Sequence, residues 1–113
     1  MDIDVVFAGI AVTDFPAARS WYARLFGRRE DIVAHDEEVM WRLAGPAWVY
    51  VVRDPARAGK ALVSIAVADL DAVVAEIEGR GVGCGPIEAV GDAGRKAPFT
   101  DADGNTVAFI EVT

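Results

Sequence analysis

The sequence predicts an α+β fold: two βαβββ modules whose strands form a curved, cup-like mixed sheet with the helices on the outside. Three observations predict it. The stretch GIAVTDF at 9–15 returns as SIAVADL at 64–70, with Ile10 and Ile65, Val12 and Val67, and Asp14 and Asp69 each 55 residues apart. Both copies sit where a Val/Ile-rich strand runs into an amphipathic helix. Three short strand-like segments then follow each helix. Units of about 55 residues are too small to be stable alone, so the two must share a structure. The expected organisation is a first module at 1–52, a connector at 53–60 and a second module at 61–113.

The first strand is read at Val5–Val12. Asp14 stands in an N-cap setting, and Pro16 suits an early helical position, where its missing N–H costs nothing. In AARSWYARLFG, the residues Ala18, Trp21, Tyr22, Leu25 and Phe26 recur at helical spacing, and Gly27 ends the helix in C′ fashion. Strands are expected at Asp31–Ala34, Glu38–Leu43 and Trp48–Val52, the last two joined by the turn Ala44-Gly45-Pro46. The polar segment RDPARAGK is the internal boundary. The programme then restarts with a strand at Ala61–Val67 and a helix capped by Asp69. Leu70, Val73, Val74 and Ile77 fall on one face of that helix, and Gly79 and Gly81 end it. Further strands are expected near Ile87–Val90, Lys96–Thr100 and Thr106–Val112. Asp103-Gly104 marks a hairpin turn between the last two.

Composition sets bounds on function. The chain is 53% hydrophobic and able to build a core. No apolar run approaches the roughly 18 residues that span a bilayer, and MDIDVVFAG lacks the basic start of a signal peptide. The lone Cys84 excludes an internal disulfide framework. A cytoplasmic protein without a membrane partner is expected. A net charge of −7 argues against nucleic acid and favours a cationic ligand by long-range attraction.

With these motifs in this order, the chain resembles the vicinal oxygen chelate superfamily. That superfamily groups glyoxalase I, fosfomycin-resistance transferases, extradiol dioxygenases and bleomycin-resistance proteins. VTDFPAARSWYARLFG is similar to the family's V-x-D-(x)n-FY-(x)n-LG signature, with Trp21 in the Phe place. TDADGNTVAFIEV is similar to its DPDGN-x-IEL signature, with Ala102 in the Pro place. The resemblance implies sheets that curl around a cavity, completed by two modules of one chain or of two.

The resemblance also implies where a divalent metal would be held. The family's ligand positions fall on Phe7, Leu62 and Ala108, with a further one at Tyr50 or a neighbour. Phe, Leu and Ala offer no lone pair to a metal, so neither a metal nor another cofactor is expected. His35, in AHDEE, reads as a solvated turn residue. The DADGN segment lacks the later Glu of a calcium loop. Cys84 has no base at hand, and the glycines at 79–85 lack a phosphate-loop ending. No catalytic residue is assigned.

Alternation tells what would line the cavity instead. If Phe7 faces it, so do Gly9 and Ala11, while Ile10 and Val12 face the helix. Leu62, Ser64 and Ala66 face it in the second module, as does Ala108 on the last strand. Glu111 should face the opposite side. Trp48 and Tyr50 share one face of their strand. Trp41 is flanked by Met40 and Arg42, which leaves its face unassigned. Arg42, Arg95 and Lys96 are cations able to orient an anionic group. The expected ligand-binding set is Phe7, Gly9, Trp41, Arg42, Trp48, Tyr50, Leu62, Ser64 and Ala108, in which aromatic rings could stack a planar or cationic ligand and small residues leave it room.

The resemblance is nearest the metal-free bleomycin-resistance-like branch. It implies a homodimer that binds a small molecule, cationic or aromatic, and sequesters a drug or metabolite. The alternative it implies is a metal-dependent lyase, isomerase or dioxygenase with atypical ligands such as Tyr50, His35 or Glu111.

Overall fold

The computed structural model describes residues 1–112. Thr113, the last residue of the expected second module, lies outside them. The first half runs β1 (Val6–Val12), α1 (Phe15–Phe26), β2 (Ile32–His35), β3 (Glu38–Ala44) and β4 (Ala47–Arg53). The second repeats this order as β5 (Leu62–Ala66), α2 (Leu70–Gly79), β6 (Glu88–Val90), β7 (Gly94–Thr100) and β8 (Thr106–Val112). The α+β class and the two βαβββ modules are as the sequence predicts. The strands fall into two four-stranded sheets, ordered β1-β4-β3-β2 and β5-β8-β7-β6. In each, the first strand is an edge strand that pairs in parallel with the fourth, and the other pairs are antiparallel. A parallel neighbour cannot be reached through a tight turn, and here the helix and the next two strands supply the crossover.

The echoed motif works as a helix start in both copies. Asp14 Oδ1 accepts the Ala17 N–H at 3.1 Å, and Asp69 Oδ1 accepts the Ala72 N–H at 3.1 Å. These bonds satisfy donors that the first turn leaves unpaired. Gly27 ends α1 at φ 77°, a left-handed conformation open to glycine without a Cβ clash, and its N–H donates to Ala23 O. α2 ends at Gly79, and the Arg80 side chain reaches across to the carbonyls of Arg24 and Leu25 at the end of α1. Cationic groups suit that negative helix terminus.

Each sheet puts alternate residues on a helix-bearing face. Ile10, Val12, Val39, Val49 and Val51 of the first sheet are buried there with Tyr22 and Leu25 of α1. Phe99, Val107 and Phe109 do the same against Leu70 and Ile77 of α2. These residues form one continuous cluster, so both modules share a single core and the two helices touch. The opposite face of each sheet is left open. The exposed surface is 6660 Å², against about 6,000 Å² for a compact monomer of this mass.

The DADGN turn does more than close a hairpin. The buried Asp101 carboxylate accepts the Tyr22 hydroxyl of α1 at 2.7 Å, together with the N–H groups of Asp103, Gly104 and Asn105. The Asn105 amide donates to Ala11 O in β1 at 2.8 Å, and its oxygen accepts the N–H groups of Gly59 and Ala61. The Thr13 hydroxyl and N–H both donate to Asp103. The second module's last turn is therefore latched onto the first module and the connector. Among the described residues, no helix is long and apolar enough to cross a membrane.

Candidate functional site

Register assembles the candidate residues in rows across the open face of the first sheet. Phe7, Trp48 and Arg42 are cross-strand partners on β1, β4 and β3. The next row is Gly9, Tyr50 and Met40, and the third is Ala11, Val52 and Glu38. Cross-strand neighbours on one face stand close enough for side chains to touch. The Phe7 and Trp48 rings lie 5.9 Å apart at a tilt of 41°. The Tyr50 ring lies over Gly9, where a Cβ would sit 2.5 Å from the phenol oxygen. Glycine here gives a large aromatic side chain a bed. Phe7 is 50% exposed, which is far from core packing. A hollow over Gly9, Ala11, Tyr50 and Val52 is bounded by Asp54, Arg57 and Lys60 of the connector.

The second sheet presents smaller groups. Leu62 is paired with Thr106, Ser64 with Ala108, and Ala108 in turn with Pro98. Leu62 is 76% exposed and Ser64 is exposed, whereas Ala108 is buried at 2%. The branched residues Val63 and Ile65 alternate with them and pack against the core. The same alternation was expected for both first strands.

Trp41 is the exception among the candidates. It lies opposite Val49 on the helix-bearing face, fully buried, and its indole Nε1 donates to Arg28 O at 3.0 Å. Its ring packs 5.4 Å from Phe26. The expectation that it lines a ligand site is corrected: Trp41 is a core residue on the far side of the sheet. Its neighbours two residues away, Val39 and Leu43, are both apolar, while Glu38 and Arg42 are charged. That period-two contrast carried the signal.

The remaining titratable groups are engaged in structure. Glu111 faces the helix side as expected, accepting the Leu70 N–H at 2.9 Å and the Arg95 guanidinium at 3.0 Å. The N–H bond first, and Arg95 second, hold its carboxyl below the usual carboxylate range. Arg95 also binds Asp71, and Lys96 lies 3.5 Å from Glu88. His35 sits 3.6 Å from Glu38. Burial, with Glu78 nearby, pushes the Cys84 thiol up, away from a reactive thiolate. The Met40 and Lys60 flanks of the aromatic rows escaped the sequence reading. Their place follows from register and from the connector's path, which a local pattern does not contain.

The residues do not fit the metal that the fold family implies. Phe7, Leu62 and Ala108 carry no donor atom, and Tyr50 offers one phenol. Among the described residues, no three His, Cys, Asp or Glu side chains are grouped so as to hold a metal ion.

The comparisons with known proteins agree with this architecture. A glyoxalase / bleomycin resistance protein from Catenulispora acidiphila has a solved structure 38% identical to this chain, with a TM-score of 0.91 over 96% of this chain and 98% of that one. TnmS3, an antibiotic binding protein from Streptomyces sp. CB03234, is similar at 22% identity and TM-score 0.77, over 100% of this chain and 99% of that one. The fosfomycin resistance protein FosX from Listeria monocytogenes is similar at 18% identity and TM-score 0.76, over 100% and 96% of the two chains. No curated protein matches the chain at a significant level. The family model described as Glyoxalase/Bleomycin resistance protein/Dioxygenase superfamily matches residues 3–109. With this match over nearly the whole chain and the close fit of the 38% identical structure, the chain belongs to the glyoxalase/bleomycin resistance protein/dioxygenase superfamily.

Proposed function

We propose that the protein is a metal-free, cytoplasmic small-molecule-binding protein that sequesters a drug or metabolite as a homodimer. The observation that carries this reading is the aromatic floor of Phe7, Trp48 and Tyr50, side by side on adjacent strands, with Phe7 exposed and the other two half-buried. A fold of this size would bury such rings unless something covers them. Sequestration needs no catalytic group, only a complementary apolar pocket with a few polar anchors. Phe7, Gly9, Arg42, Trp48 and Tyr50 form one wall, and Leu62 and Ser64, beside the buried Ala108, form the other.

The two walls belong to sheets whose helix-bearing faces join one core. A second copy covers both, each site combining the first module of one chain with the second module of its twin. Similar structures named for antibiotic binding and fosfomycin resistance make antibiotics the first ligands to try.

A thermal-shift screen of aromatic and amphipathic natural products tests the reading, because a ligand selective for the folded state raises the melting temperature. Hits whose effect is lost in Trp48→Ala support it. A screen that moves nothing sinks it. Elemental analysis of the purified protein is the companion measurement. Stoichiometric zinc, nickel, manganese or iron would turn the reading toward a metal-dependent lyase, isomerase or dioxygenase.

A further inference from the structure

The chain carries 18 acidic and 11 basic residues, a balance that favours cations at long range. The open face of the first sheet departs from that balance. Arg42 shares a cross-strand row with Trp48 and Phe7. Its Nε donates to Gly45 O at 2.7 Å, and its backbone N–H donates to Asp31. The side chain is thereby held at the turn, with its guanidinium beyond ion-pair distance of any acid among the described residues, although its charge also acts on the Asp31 carboxylate that its own backbone binds. At the other end of the aromatic rows, Lys60 and Arg57 bound the hollow over Tyr50. Lys60 also has no ion pair among the described residues, and Arg57 reaches Asp54 at 3.4 Å.

The acids nearby are mostly occupied. Asp31 is bonded by Arg28 and Asp54 faces Arg57, while Glu38, in the third row, has among the described residues only the His35 imidazole beside it at 3.6 Å. Asp4 lines the hollow next to Arg42 and Trp48 but forms no ion pair. The result is an aromatic floor with a cation at each end, in a protein whose net charge is −7.

We propose that the ligand of this face is a flat aromatic anion, its ring on Phe7 and Trp48 and its carboxylate on the Nη atoms of Arg42. This rests on the reading of the face as a ligand site and adds the ligand's charge to it. Two parallel N–H groups of a guanidinium match the two oxygens of a carboxylate. The Gly45 contact fixes the fork before binding, which lowers the entropy lost on complex formation. Arg42 is then the residue that selects acids over their neutral isosteres, and Lys60 adds a screened, longer-range attraction.

The test is a binding series with three probes of one shape: 2-naphthoate, 2-naphthamide and 2-naphthylmethylammonium, followed by calorimetry at low and high salt. The acid should bind tightest. Arg42→Gln should weaken it roughly tenfold while changing the amide by no more than about twofold, since a hydrogen bond to a charge is lost in one case only. Added salt should weaken the acid and leave the neutral amide unchanged. Equal binding of acid and amide, preference for the ammonium, or equal losses in Arg42→Gln for acid and amide would each overturn the proposal. If Arg42→Gln fails to fold because the Gly45 contact is gone, Lys60→Gln serves instead, with about a threefold loss expected for the acid only. No binding by any probe, with hits of other chemistry in the thermal-shift screen, sinks the anion alone. No binding anywhere sinks the ligand site with it.

Discussion

Tyr50 holds its ring over a residue that has no side chain. A Cβ on Gly9 would sit 2.5 Å from the phenol oxygen and 2.5 Å from the ring carbon that bears it. The obstructing atoms are the far end of a half-buried side chain on an open face, so the ring can swing outward. Gly9→Ala should therefore fold with a stability loss below about 1 kcal/mol, as for a surface change, while the displaced ring alters ligand binding. Urea unfolding together with titration of a screening hit checks both parts. A loss of several kcal/mol would mean that the ring is wedged and not free. A second residue-scale effect is electrostatic. Glu111 has a folded pKa held below its unfolded value by the Leu70 N–H and by Arg95. Its stabilising contribution is present above the unfolded value and is lost as pH falls through the folded one. Glu111→Gln should flatten the acid limb of the stability profile as pH falls below the ordinary Glu value of about 4.3, and leave its alkaline limb unchanged. An acid limb identical to wild type would show the contact to be idle.

At the scale of elements, the decisive contact is the latch between the DADGN turn and the first module. The Tyr22 hydroxyl donates to buried Asp101, and both burial and that carboxylate push its pKa upward, so it stays a donor through the neutral range. Tyr22→Phe removes one donor from a buried carboxylate and should cost about 1–3 kcal/mol. Denaturant melts with an unchanged slope would check it, and wild-type stability would mean that water replaces the hydroxyl. The latch also marks where sequence legibility ends. Asp14, Asp69 and Gly27 were readable because a helix terminus is decided within four residues. Ile10 and Val12, or Val63 and Ile65, were readable because a strand's period of two sorts one face from the other. The partners of Asp101, Tyr22 and Asn105 lie up to 94 residues apart, and no local pattern encodes such a pairing. Phe7, Trp48 and Tyr50 were each legible as residues of one strand face, but their adjacency depends on the β1–β4 register. Arg42 was visible as a cation. That it stands unpaired beside Trp48 follows only from the cross-strand row and the Gly45 contact.

For the whole molecule, the question is which two walls make one site. Both sheets turn their helix-bearing faces into a shared core, and Phe7 and Leu62 remain exposed on the faces left over. β1 and β5 also end their sheets with unpaired edges, a state that chains tend to cover. The proposed twofold dimer would cover both faces at once if its symmetric contact sets the first module of each copy against the second module of the other. The consequence is a complementation that separates exchanged from self-contained sites. Trp48→Ala damages every first-module wall, and Ser64→Trp blocks every second-module wall, so each variant alone should bind nothing. Co-expressed, the two chains form heterodimers in which one site carries both lesions and the other carries neither. Random pairing should then restore about a quarter of wild-type binding capacity, half the dimers being mixed and each having one intact site. If each chain builds its site from its own two modules, every site keeps one lesion and mixing restores nothing. Calorimetric stoichiometry on the co-expressed, unselected mixture distinguishes the two outcomes, and sedimentation of the wild type at twice the 12.0 kDa chain mass is the necessary control.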